Sequence, residues 1–237
     1  MQPTFNPWLG YFDLIDYVDE FIFFDTVQLS RQSWQTRNKI KVQDKELMIS
    51  IPIQKKTPKE EKLLIKDALI ESRKFDFRNK LIKTIEQNYN KSYFFNEVND
   101  FVMDLIEFKA KHISNYNINF IEKISRIINI DTKLIRLSET KYNSDTKKAE
   151  QVFSVCQYFG VKKYISPLGS KIYLGEAEDK FINNDISISY QYYNHPMYRQ
   201  IGTEFISHLG ILDLLYNEGF KNSLKIIRSG RRYRYEN

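Results

Sequence analysis

The chain has 237 residues, is 42% hydrophobic and carries a formal charge of +6, enough apolar content for one large domain or two small ones. Cys156 is the one cysteine, which excludes an internal disulfide, and with His112, His195 and His208 as the only histidines no standard Cys/His zinc spacing can be built. There is no apolar run of about 18 residues and no basic region leading into an apolar core, so neither a membrane span nor a signal peptide is expected and the protein is placed in the cytoplasm.

In chain order, Tyr11, Phe12, Leu14, Ile15 and Val18 follow helical spacing after a turn rich in Pro and Asn. The run Glu20–Asp25 reads as a buried strand ending in a carboxylate. Together they predict a βαβ unit, with ligands at the carboxyl ends of its strands. Lys39–Val42 and Leu47–Ile53 predict two strands across a polar turn. The charged run Lys55–Lys66 is either a solvated loop or a lid over an anionic ligand.

Three helical faces follow: Phe77, Leu81, Ile82, Ile85 and Tyr89; then Phe94, Val98, Phe101, Val102 and Leu105; then Phe120, Ile121, Ile124, Ile127 and Ile128. This block, about 74–130, is expected to be a helical insertion, its third helix serving the core or propping a homodimer. From Lys133 the α/β rhythm returns with the strand KLIRLSE. A helix capped by Ser144 or Asp145, with Ala149, Val152, Phe153, Cys156 and Phe159 inward, closes at Gly160. KYIS and ISISYQY predict strands, Ile206–Glu218 a last helix stopped by Gly219, and the arginines from Arg228 to Arg234 a frayed tail. The expected fold is one α/β domain spanning 1–237, with a mostly parallel sheet, flanking helices and the central insertion.

The stretches MQPTFNPWLGYFDLI, FFDTVQLSRQSWQTRNKI, YISPLGSKIYL, HPMYRQ and LGILDLLYNEG, in that order, resemble the WbqC-like family. That family occurs in bacterial surface-polysaccharide gene clusters, so the resemblance implies a role in surface-polysaccharide or O-antigen biosynthesis. It also implies a first strand running into Gln2, either reduced here or begun upstream of Met1.

Four constellations carry candidate chemistry. The turn holding Gln2, Trp8 and Tyr11 has a strand–turn–helix position similar to the HxGH turn of nucleotidylyl transferases. Trp8 and Tyr11 would fill the histidine places, which suits stacking on a base or sugar ring; a plug closing the sheet edge is the alternative. In the second, Asp25 can orient a hydroxyl or act as a base. Arg31 and Arg37 can clamp phosphate, Trp34 can stack, and Gln28 and Asn38 add amides. Arg31, Trp34 and Arg37 would share a face on a helical turn, and a surface helix with an internal ion pair is the alternative. The third is Ser166, Gly169, Ser170 and Lys171 with Tyr173, a turn able to hold an anion or simply to turn. In the fourth, His195 is the candidate general base, followed by Tyr198 and Gln200; a structural histidine is the alternative.

The mild basic charge fits a nucleotide sugar or other anionic small molecule, and equally Lys-rich codon usage. No nucleic-acid motif is present, and neither a metal nor a cofactor is expected. The reading is a transferase acting on a nucleotide-linked amino sugar, plausibly by N-acyl transfer, with His195 and Asp25 as catalytic residues and an unspecified acyl donor. The alternative is a non-catalytic protein that binds a glycan intermediate or a pathway partner.

Overall fold

The computed structural model describes residues 1–30, 32–54, 63–72 and 76–235, with backbone alone for 233–235. They fall into two compact units, Met1–Ser138 with His195–Ser229, and Glu139–Asn194 with Gly230–Asn237. The first unit begins with α1 (Leu9–Tyr17), β1 (Glu20–Phe23), β2 (Arg37–Val42) and β3 (Lys45–Ser50). It continues with α2 (Phe77–Tyr89), α3 (Phe95–Glu107), α4 (Ile113–Ile127) and β4 (Lys133–Arg136). The second unit holds α5 (Lys148–Tyr158), β5 (Lys163–Pro167), α6 (Lys171–Leu174), α7 (Glu178–Ile182) and β6 (Ser187–Tyr193). The chain returns to the first unit for α8 (Ile211–Ser229) and ends in the second with β7 (Arg231–Tyr235).

In the first unit β1 pairs in parallel with β4, Phe21 opposite Leu134. Along the other edge of β1, Met1 N donates to Ile22 O and Phe24 N donates to Met1 O, both over 2.8 Å, the bond pattern of a parallel ladder. Gln2, Asp25 and Ser138 therefore follow the carboxyl ends of three parallel strand positions. α1 is buried from Leu9 to Ile15, which its apolar run LGYFDLI permits. The strands β2 and β3 form a hairpin with a short turn at Gln43 and Asp44, Gln43 taking a φ of 54°. Asp76 caps α2 by accepting from Arg78 N at 3.0 Å. On α4 Ile121, Ile124 and Phe120 are core residues while Ile127 is exposed, so its apolar face serves the fold.

In the second unit β5 and β6 are parallel and β7 lies antiparallel to β6. Val152, Phe153 and Cys156 of α5 pack with Leu174, Phe181, Ile186, Ile188 and Tyr190.

The protein is thus mixed α/β, but the described strands form three small sheets rather than one mostly parallel sheet. The tight turn at Gln43 forces β2 and β3 antiparallel, and of the described strand pairs β1–β4 and β5–β6 are parallel while β2–β3 and β6–β7 are antiparallel. Other expectations shift as well. The last helix starts at Ile211 rather than Ile206; its first part ends at Gly219 as expected, and a second helical part runs on to Ser229. With φ 72° and ψ 174°, Gly219 breaks α8 in two, in a place where a Cβ would strike the Phe94 ring at 2.6 Å. Arg228 is not frayed: it holds Asp16 through Nε and Nη2 at 2.8 and 2.7 Å, and the residues after it form β7. The α5 N-cap is Lys147, while Ser144 spends its hydroxyl on Thr146. Arg31 and residues 55–62 of the charged run lie outside the described residues, and Trp34 sits in a turn before β2, so no helical face joins it to Arg37.

Candidate functional site

The segment from Gln2 to Trp8 runs beside the segment from Trp34 to Lys39. Gln35 Nε2 donates to Gln2 Oε1, Phe5 N donates to Trp34 O at 2.9 Å, and Asn38 Nδ2 donates to the carbonyls of Phe5 and Asn6 at 3.1 and 2.8 Å. Asn6 adopts a left-handed φ of 45° and its Oδ1 accepts from Leu212 N, while Ile211 N donates to Pro7 O, so this segment caps α8. The wrap demands Gly210: a Cβ there would lie 2.0 Å from Asn6 Nδ2.

Beyond that wrap Trp8 bridges Gly210 and meets two histidines. Its ring stacks on His208 at 5.3 Å and on His195 at 6.3 Å, and the two imidazoles lie 4.8 Å apart. Tyr198 and Phe205 complete the ring cluster, each 6.1 Å from His195. The Pro196 carbonyl can only accept, so His195 Nδ1 carries the proton it donates over 3.1 Å. The lone pair is then on Nε2, which is buried and has no hydrogen-bond partner among the described residues. Burial first, and the neighbouring His208 second, push the His195 pKa down to about 4, so the ring is neutral at pH 7.

Tyr198 links this cluster to a buried carboxylate. Asp213, fully buried on α8, accepts from Tyr198 Oη and Gln200 Nε2 at one oxygen and from Tyr89 Oη at the other, each over 2.8 Å. Desolvation raises its pKa to about 6, with the three donors pulling the other way. Tyr89 in turn accepts from Lys41 N at 3.1 Å. The loop bearing His195 is pinned a second time at Asp44, which accepts from Thr203 N, Thr203 Oγ1 and Glu204 N. Those backbone bonds bring Asp44 down to about 2. Buried Lys41 completes the anchor by donating to Glu204 O.

Asp25 lies in a different set. It is buried after β1, accepting from Ser138 N at 3.0 Å and from the Ser138 and Ser114 hydroxyls. With both oxygens engaged it ties the ends of β1 and β4 to α4, and these bonds do not run to His195. Tyr11 is a core residue whose hydroxyl donates to Gln2 O, and burial raises its pKa well above the ordinary range. Trp34 is 52% exposed. Gln28 bridges Leu64, and Arg37 opens β2 half-buried.

The structure brings Trp8, His195, Tyr198 and Gln200 together, and Gln2 to Gln35, with Asn38 bracing the segment between. Ser166, Gly169, Ser170, Lys171 and Tyr173 belong to the second unit. There Ser166 and Ser170 share a hydroxyl contact of 2.5 Å, Ser170 donates to Pro167 O, and Lys171 Nζ lies 5.7 Å from the Tyr190 ring centre. Sequence reasoning missed His208, Asp213, Tyr89, Gln35 and Asn117. Two had a visible signal: Asp213 interrupts the apolar run ILDLL, and Asn117 interrupts the apolar face of α4.

A two-unit α/β protein with a neutral histidine set among aromatic rings over a buried carboxylate is the class that fold and site define. The model of the WbqC-like protein family matches residues 2–225, and the chain belongs to that family. It is similar to a protein of Mycobacterium tuberculosis described as "Uncharacterized protein Rv1507c", with 29% identity over 223 residues and 92% of each chain covered. No solved structure matches the chain. Among the described residues no helix is long and apolar enough to cross a membrane.

Proposed function

We propose that the protein is a transferase acting on a nucleotide-linked amino sugar in surface-polysaccharide assembly, moving an acyl group to the sugar nitrogen. The observation that carries this reading is the unpartnered Nε2 of His195, a lone pair held beside the Trp8 ring. An acceptor without a donor calls for an N–H or O–H group on a ligand. With its pKa near 4, the imidazole keeps that lone pair free at neutral pH. It is too weak a base to strip a proton from a resting ammonium. It is suited to taking the N–H proton as the amine attacks, because the nitrogen becomes strongly acidic once it bonds to the acyl carbon. In that step the C–N bond forms, Nε2 takes the proton, and the bond to the donor's leaving group breaks. The leaving group departs with the proton returned by the imidazolium. The acyl donor is an activated ester or thioester. Trp8 stacks on a ring, and Arg37, with Arg31, holds the diphosphate.

The test is mass-spectrometric detection of N-acylated product from the purified chain with nucleotide-linked amino sugars and a panel of activated acyl donors. His195→Gln is expected to abolish product while leaving sugar affinity within a few fold. A second reading, a cytoplasmic binding protein of the same pathway without turnover, draws on the enclosure of Nε2. It predicts sugar binding, no product with any donor, and no effect of His195→Gln.

A further inference from the structure

At the far end of the segment that carries Trp8, Gln2 meets Gln35, and Gln35 meets Asn117 of α4. Gln35 is 5% exposed and Asn117 fully buried. Asn117 Nδ2 donates to Pro3 O at 3.1 Å and to Gln35 O at 2.8 Å, which identifies its other end as the oxygen. Gln35 Nε2 donates to Gln2 Oε1. Asn117 Oδ1 and Gln35 Oε1 are left buried with no donor among the described residues. A buried acceptor without a donor calls for one, and here two lie on side chains that touch the same turn. The turn itself, closed by Thr36 N donating to Ser33 O at 3.0 Å, leaves Gln35 buried beside an exposed Trp34. Gln2, exposed, leads from the surface to the buried pair. The place is also the one that parallel topology favours for ligands, since Gln2 follows the strand position of Met1 beside the ends of β1 and β4.

We propose that Gln2, Trp34, Gln35 and Asn117 form a subsite for the hydroxyl-bearing ring of a sugar. The two amide oxygens accept from adjacent ring hydroxyls, and the exposed indole covers the apolar C–H face. The two amide oxygens accept only, which disfavours an anion against them, while the buried Ser33 hydroxyl of the same turn, also without a partner among the described residues, can donate or accept. That this ring belongs to the transferred sugar rests on the proposed function; the subsite does not.

The test is a titration of the full chain, labelled with ¹⁵N, following side-chain amide and indole N–H signals. The probes are D-glucosamine and D-glucose, with inorganic phosphate as the contrasting ligand. The Gln35 and Asn117 amides and the Trp34 indole are expected to shift saturably with both sugars and not with phosphate. Trp34→Ala is expected to weaken binding at least fivefold, and Ile172→Ala, at an exposed position of the second unit, to leave it unchanged. Amide signals that ignore both sugars, with contacts to an ordered water only, overturn the proposal. So do sugar-induced shifts confined to Trp8, or shifts undiminished in both Trp34→Ala and Gln2→Ala. Sugar binding here without any acyl transfer would count against the transferase and leave the subsite standing. Transfer without a response at these amides would do the reverse.

Discussion

Tyr89 donates its hydroxyl proton to Asp213 across 124 residues of sequence and 2.8 Å of space. That bond joins α2 to α8 beneath the His195 cluster, and the same hydroxyl accepts from the backbone of β2 at Lys41. Tyr89→Phe strands a buried N–H and removes one of three donors from a buried carboxylate. A loss of about 1–3 kcal/mol is expected. For a chain of this size that is a melting temperature lower by roughly 2–12 °C. Calorimetric melting that matches the parent would show that the network contributes nothing to the fold.

How stability depends on pH separates the two titrating groups of the site. His195 falls from an ordinary 6.5 to about 4 on folding, so between those values the unfolded chain holds the proton and the folded chain does not. Its contribution is intact above pH 6.5 and is lost as pH drops toward 4. Asp213 runs oppositely: raised from 3.8 to about 6, it favours the folded state as pH drops through that window. Comparing the parent with His195→Gln isolates the first effect. The urea midpoint of the parent is expected to fall relative to the variant between pH 6.5 and 4.5. A constant difference would mean that His195 titrates normally.

Gly10 sets the position of the Trp8 ring. A Cβ on Gly10 would lie 2.3–2.7 Å from the indole, so the ring must move in Gly10→Ala. In a Trp34→Phe background, where Trp8 is the only indole, the emission spectrum is expected to change while the chain stays folded. An unchanged spectrum would place the indole elsewhere.

Cys156 packs at 2% exposure in the core of the second unit, and burial pushes its thiol up to about 12. Native labelling by a maleimide is therefore expected to be slow, and fast after denaturation. Cys156→Ser buries a hydroxyl among apolar neighbours and is expected to lower the melting temperature by a few degrees. Rapid native labelling would contradict the packing.

Much of this was legible in local pattern. The faces of α2, α3 and α5 follow from their spacing, and the strands β1, β4, β5 and β6 were legible as strands, though not their pairing. The β2–β3 pair across a polar turn was legible too, but the turn's two-residue length was not, because Gln43 gives no Gly or Asn signal for its left-handed backbone. Nor was the role of Asp25: a carboxylate at a strand end reads as chemistry, yet its serine partners lie 89 and 113 residues away. His195 was found by residue type and by its place in HPMYRQ after the strand ISISYQY. What makes it a candidate base is a tautomer set by the carbonyl of Pro196 and a burial set by Trp8 and His208. Such facts arise from packing between distant segments, which periodicity does not encode. The anchor at Asp44 likewise depends on a loop more than 150 residues away.

The central claim is that His195 presents a free, neutral Nε2 to the ligand. The most direct measurement is the long-range ¹H–¹⁵N spectrum of its imidazole in the full chain, recorded from pH 8 to 5 and on adding a nucleotide-linked amino sugar. The account predicts the Nδ1–H tautomer throughout, no midpoint in that range, and a shift at Nε2 when the sugar binds. An Nε2–H tautomer, or a midpoint near the ordinary 6.5, would contradict it.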